Sequence, residues 1–271
     1  MMPRIVTLVA IVLALPMLQP VQTAPVAAQA LAGKSTINWI GRHAEFERFL
    51  KKAKIARTEN VEKGVTRPRR VYFAPGGLAA SAVIKSIRPS RIADYYDSYR
   101  SEVAAYELDK VLGLNMVPPT VERQVGIDLV SIQLWVEDCV SYKSVMNTPR
   151  PNPAAWARQL RRMIVFDNLI VNIDRNEGNM QIDPAGNLVL IDHSRSFDWR
   201  KPARMPFEKS MTAIDRPFFE KLKALDAKSL NRTVGPWVDF GVGPILLQRD
   251  AIVNIFERLI EKNGEAKVIF P

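Results

Sequence analysis

The chain predicts an α+β protein of two lobes, a small β-rich lobe with one key helix followed by a mainly helical lobe. Paired strand-like runs, 70–74 with 78–86 and 121–124 with 129–136, all fall in the first half, each pair joined by a glycine-containing turn. One stretch of helical period, 101–112, lies between them, and beyond residue 150 the apolar spacing becomes helical. Polar residues suited to chemistry concentrate within 166–197.

Composition sets the limits. At 271 residues, 47% hydrophobic and 24% charged, the chain has mass for one bilobed domain or two small ones and excludes disorder. Its net charge of +10 comes from 38 basic and 28 acidic residues spread without a polybasic tail. That is either a soluble basic surface or an attraction to anionic lipid, nucleic acid or nucleotide. The single cysteine, Cys139, forms no internal disulfide and does not identify the compartment.

Residues 1–30 read as a signal peptide. Arg4 precedes an apolar run over 5–18, and Ala28-Gln29-Ala30 supplies a small-x-small cleavage site. The run is about fourteen residues and is followed by Pro20, short of the roughly 20 that a spanning helix needs. Export with cleavage after Ala30 is expected, an uncleaved anchor being the alternative; cleavage leaves a mature charge of +9 because this segment carries one basic and no acidic side chain.

Residues 31–63 form a helical extension, with Trp39, Ile40, Phe46, Phe49 and Leu50 near helical spacing and Lys51, Lys52 and Lys54 at the end. Residues 64–137 make the first lobe, in which Lys85 ends the apolar strand Ala82-Val83-Ile84. Helix 101–112 stops at Gly113 and offers three acids, Glu102, Glu107 and Asp109. Residues 138–271 make the second lobe. Asn152 caps and Pro153 begins a long helix running to about 173, with Trp156, Leu160, Met163, Phe166 and Leu169 on its buried stripe and Arg158, Arg161 and Arg162 on its wet face. Asp167 and Asn168 either orient the following loop or lie at the surface. Asp215 is placed to cap a later helix, and a last amphipathic helix spans 245–260.

The chemistry falls on three residues, Asp174, Asn179 and Asp192. A hairpin between the last two, turning over 184–187, brings them side by side, with Asp174 in a loop where Gly178 permits an unusual backbone angle. One carboxylate then faces a hydroxyl, while a carboxylate and an amide face a metal bound to phosphate.

Two motifs carry a family resemblance. Asn172-Ile173-Asp174-Arg175-Asn176-Glu177-Gly178-Asn179, followed by Ile191-Asp192-His193, resembles the N-x-D-[RD]-[HN]-x-x-N loop and [IL]-D-[HFY] strand end of atypical protein-kinase-like enzymes: the phosphatidylinositol 3/4-kinase-like, HipA-like and secretory-pathway groups. Asn176 departs from the commoner His, and His193-Ser194 replaces Phe-Gly. Ala82-Val83-Ile84-Lys85 is similar to the kinase strand motif, although no G-x-G-x-x-G accompanies it. The resemblance covers roughly Gly64 onward and implies a bilobed protein-kinase-like fold.

In that fold Lys85 clamps phosphate and Glu102 partners it, Val136 and Glu137 meet the adenine at the hinge, Asp174 is the base, and Asn179 and Asp192 hold Mg²⁺ or Mn²⁺. The expected activity is an exported ATP-dependent phosphotransferase, the alternatives being an inactive nucleotide-binding relative or an AMP transferase. The expected partners are ATP and a hydroxyl acceptor on a protein, lipid headgroup or small molecule, in a monomer without nucleic acid or stable membrane insertion. Asp198, Trp199 and the basic residues 200–204 stand where a kinase receives substrate.

Overall fold

A computed structural model describes Leu31 and residues 33–61, 68–92, 95–200 and 205–271. The predicted signal peptide and residues 201–204 of the basic run lie outside the described residues.

The first lobe is a five-stranded antiparallel sheet in the order β1-β2-β3-β7-β6, formed by β1 (Ile55–Asn60), β2 (Arg69–Phe73), β3 (Ser81–Lys85), β6 (Thr120–Val125) and β7 (Asp128–Leu134). Strand alternation divides its faces. Ala82, Ile84, Val130, Ile132 and Leu134 join Trp39, Phe46 and Leu50 in one core beneath helix α1 (His43–Lys52). Lys85 pairs with Ser131 and Val83 with Gln133, which puts these four on the opposite face, toward the second lobe. The extension 31–63 therefore supplies both a helix and an edge strand to this lobe.

Between β3 and the key helix the chain forms a small hairpin, β4 (Ser90–Ile92) with β5 (Tyr95–Asp97). Helix α2 (Tyr99–Leu112) follows, capped by Ser98, whose hydroxyl accepts from the Arg100 N–H, and ended by Gly113 in the left-handed region. It is buried on nearly all sides, because Ala104, Ala105, Tyr106, Leu108 and Leu112 pack into the core of the second lobe. Glu102, in its first turn, faces the sheet.

The second lobe begins with β8 (Val140–Ser141) and a short helix, α3 (Tyr142–Val145). Helix α4 (Pro153–Leu169) is capped by Asn152, which accepts from the Ala155 N–H at 3.0 Å. It packs beneath β9 (Met180–Ile182) and β10 (Leu188–Leu190), which form an antiparallel three-stranded sheet with β8. β11 (Ile214–Asp215), α5 (Arg216–Lys223), α6 (Ala227–Thr233), α7 (Gly243–Asn263), α8 (Glu265–Val268) and β12 (Ile269–Phe270) complete it.

Three local expectations are corrected. Helix α4 ends at Leu169 rather than near 173, because the Asn172 N–H turns back to the Asp167 carbonyl and Val171 takes φ +52°, costly for a β-branched residue. Gly178 has no left-handed φ; its lack of a side chain serves space, since a Cβ there would sit 3.0 Å from Asn176 Oδ1. Arg162 is not on a wet face but forks onto buried Asp215 at 2.7 and 2.5 Å. Asp215 also caps α5 as expected.

A strap joins the two cores. Leu31 is buried in the second lobe and Trp39 in the first. Between them Asp183 Oδ2 accepts from Ser35 Oγ at 2.6 Å and the Thr36 N–H at 3.2 Å, while the Gly33 N–H donates to the Pro184 carbonyl.

Asp109, fully buried near the end of α2, accepts from the Met116 and Val117 N–H groups at 3.0 and 3.2 Å and fastens the loop that returns to the sheet. Burial outweighs these bonds and pushes its carboxyl up to about 7. A folded-state value above the unfolded one means that the protonated acid favours the fold, fully so below about pH 4, and that this contribution is lost as the pH rises to about 7. In urea titrations, Asp109→Asn is expected to remove a component of a few kcal/mol from the fall in stability between pH 4 and 7. Parallel wild-type and variant curves would contradict the buried acid.

Candidate active site

A cavity of about 770 Å³ lies between the lobes, lined by Val83, Lys85, Gln133, Val136, Asn179 and Asp192 among others. Lys85 Nζ lies 2.5 Å from Glu102 Oε1 and 2.8 Å from Asp192 Oδ1, so a strand, a helix and the end of a hairpin meet at one ammonium. Burial works to strip the proton from Lys85, but Glu102 and Asp192 prevail and raise its pKa. Burial likewise opposes the Glu102 charge, and Lys85 with His193 holds that carboxyl well down. The site is a buried, fully ionised pair with a second carboxylate on its open side.

The predicted hairpin closes as expected. Leu190 pairs with Met180, and the Ile191 N–H donates to the Asn179 carbonyl at 3.2 Å, so Asn179 and Asp192 leave the same end of the ladder. Asp192 takes φ +61°, turning its carboxylate off the strand line into the cleft. Asn179 Nδ2 donates to the Asp174 carbonyl at 3.0 Å, which fixes the amide and leaves Oδ1 as a free acceptor. Among the described residues no group of three or more His, Cys, Asp and Glu gathers to hold a metal. Asn179 Oδ1 and Asp192 would thus give a hard cation two oxygen ligands, a set that suits Mg²⁺ or Mn²⁺ also bound by phosphate and water.

Asp174 is partly exposed and lies 3.3 Å from Arg195 Nη1. Burial raises its pKa, Arg195 lowers it and Asp192 raises it again, with a net upward shift. Arg195 also bonds Asp97 Oδ1 at 3.1 Å, which ties the β4–β5 hairpin to the loop after Asp192.

Of the residues expected at the site, Lys85, Val136, Asn179 and Asp192 line the cavity, Glu102 reaches it through its bond to Lys85, and Asp174 stands beside Asn179, whose amide bonds the Asp174 carbonyl. Glu137 differs. Its carboxylate bonds Arg70 at 2.8 Å and Ser81 Oγ at 2.8 Å, outside the cavity lining, and Arg70 in turn stacks on Trp135. Of the two alternatives for Asp167 and Asn168, burial with hydrogen bonds to the following chain is the one found. Asp167 is fully buried and receives Asn172 Nδ2 and Arg175, while Asn168 Oδ1 accepts from the Phe207 N–H. The Arg175 guanidinium and the His193 ring meet beneath loop 172–179. A charged residue between two polar neighbours, Asp174 and Asn176, reads as solvated, and nothing beside it in sequence signals the buried Asp167 eight residues earlier.

No family model matches the chain. Protein Rv2133c of Mycobacterium tuberculosis is 30% identical over 122 residues, covering 34% of this chain and 44% of that protein, so the match spans less than half of the relative. Solved structures share the architecture. A Golgi casein kinase superposes with a TM-score of 0.65 at 13% identity, over 84% of this chain and 79% of that one. Hydra Fam20, solved with sugar, gives 0.62 at 16% identity, over 84% and 91%. The Helicobacter pylori proinflammatory kinase CtkA gives 0.54 at 13% identity, over 79% and 98%. The fold is therefore the bilobed, protein-kinase-like α+β fold.

Removing Lys85 leaves Glu102 charged and buried. Lys85→Met is expected to cost about 3–5 kcal/mol in chemical denaturation. The double variant with Glu102→Gln is expected to cost less than the sum of the two single variants. Strict additivity would show that the two side chains do not depend on each other.

Proposed function

We propose that the chain is an exported ATP-dependent phosphotransferase that moves the γ-phosphate to a hydroxyl acceptor with Mg²⁺ or Mn²⁺. The observation that carries this reading is the meeting of Glu102 and Asp192 at the ammonium of Lys85, which with Asp192 lines the interlobe cavity, with Asn179 and Asp174 at the same end of the hairpin. The likeness to a Golgi casein kinase solved with Mn and ADP, a TM-score of 0.63 over 84% of this chain at 14% identity, supports it. Among the described residues no helix is long and apolar enough to cross a membrane, and export rests on the leader read at 1–30.

In this mechanism the nucleotide enters between Val83 and Ile191, with its base toward Val136. Lys85, kept protonated by Glu102, presents its ammonium to the phosphates. Asn179 and Asp192 would hold the divalent ion, which when bound would supply neutralisation of phosphate charge. Asp174 receives or orients the acceptor proton, its raised pKa making it a better base than a free carboxylate. The protein contributes position and charge, with no covalent intermediate. The acceptor is a protein, lipid headgroup or small-molecule hydroxyl.

ATP labelled at the γ or the α position tests the reading with Mn²⁺ present. Transfer of γ label is expected; transfer of α label instead would identify an AMP transferase, and neither would leave a binding protein. Asp192→Ala is expected to abolish metal-dependent nucleotide binding with the circular dichroism spectrum unchanged. Asp174→Asn should lower turnover about 10²- to 10⁴-fold while nucleotide affinity stays within a few-fold. Full turnover in Asp174→Asn would remove that residue from the reaction.

A further inference from the structure

A line of buried polar side chains runs beneath the catalytic loop and joins the two lobes. Arg175 donates to Asp167 through Nε at 2.9 Å and Nη2 at 3.0 Å. Its Nη1 donates to the carbonyls of Asn179 at 2.8 Å and Ile191 at 2.9 Å, the two residues where the hairpin opens into the site. Nη2 also lies 2.8 Å from His193 Nε2. A guanidinium has only donors, so this His193 nitrogen is the unprotonated one. The ring proton then sits on Nδ1 and the imidazole is neutral.

Nδ1 is buried without a hydrogen-bond partner. Glu102 Oε2 lies 3.8 Å from it, and the same oxygen accepts the His193 backbone N–H at 3.1 Å. Lys85 holds the other oxygen of that carboxylate. The sequence of contacts is therefore Lys85, Glu102, His193, Arg175 and Asp167, from the first lobe to the floor of the second. An aromatic filler would need only the edge contact that His193 makes with Phe166, ring centroids 6.1 Å apart. Nε2, which accepts from Arg175, serves something else.

We propose that His193, through Arg175, is a positioning residue that fixes the Lys85–Glu102 pair relative to the catalytic loop, a role that rests on the phosphotransfer reading above. Without this link Asp174 and Asn179 would keep their fold but lose their register against the phosphates held by Lys85. Misplacement on that scale affects the chemical step more than binding.

Two measurements test it. The chain has two histidines, so ¹⁵N NMR resolves each ring. His193 is expected as the Nδ1–H tautomer, moving toward Nε2–H in Arg175→Met, which offers Nε2 no donor; an Nε2–H ring in the wild type overturns the assignment. The second is turnover of γ-labelled ATP with Mn²⁺, the label counted in protein and in free phosphate. His193→Phe keeps the aromatic contact and lacks both nitrogens. It is expected to lower kcat about ten- to hundredfold while the Kd for ADP with Mn²⁺ changes by less than about threefold. His193→Gln, whose amide oxygen can accept from Arg175, is expected to recover most of the loss. Wild-type kcat in His193→Phe, or no recovery in His193→Gln, overturns the proposal. Should His193→Phe not fold, Arg175→Met takes its place with the same expected and overturning results. Equal turnover by wild type and Asp192→Ala sinks the phosphotransfer reading instead, and the tautomer then decides the His193–Arg175 link alone.

Discussion

Everything around the cleft depends on keeping the Lys85 ammonium charged at 7% exposure. A lone buried cation would lose its proton, and a single partner would leave one side of the charge unsolvated. Here Glu102 comes from α2 and Asp192 from the far end of the β9–β10 hairpin. Each partner carries its own structural demand. Glu102 reaches the lysine only because α2 lies between the sheet and the helical lobe, packed on both. Asp192 does so only by adopting a backbone angle that non-glycine residues rarely take. The lobes thus meet through charge solvation as much as through apolar contact.

Much of this was legible in the sequence where local chemistry determines shape. The 184–187 turn, the strand ending in Lys85, the Asn152 and Asp215 caps and the meeting of Asn179 with Asp192 all follow from residues near one another in the chain. What escaped was long-range pairing of charge. Arg162 looks like one stripe of a wet helix face until Asp215, far away in sequence, arrives opposite it. Arg175 looks like loop until the Asn179 and Ile191 carbonyls close over it. Gly178 shows a different failure, since a glycine serves angle or space and periodicity does not distinguish the two.

The solved structures that share the fold retain 13–16% identity. Cores accept broad exchange when volume and pattern are kept, so such likeness speaks of layers, connections and strand order. What the site can do therefore follows from this chain's own distances. Here the burial of the Asp167, Arg175 and His193 side chains is informative, because three polar groups beneath loop 172–179 are a costly way to fill a core unless their directionality is used.

The strap from Leu31 to Trp39 bears on how the cleft breathes. It is anchored in the second core at one end and in the first at the other, with Asp183 gripping its middle. Any rotation of one lobe against the other must be accommodated within this segment, so the strap and the grip of Asp183 on it bear directly on how far the cleft can open.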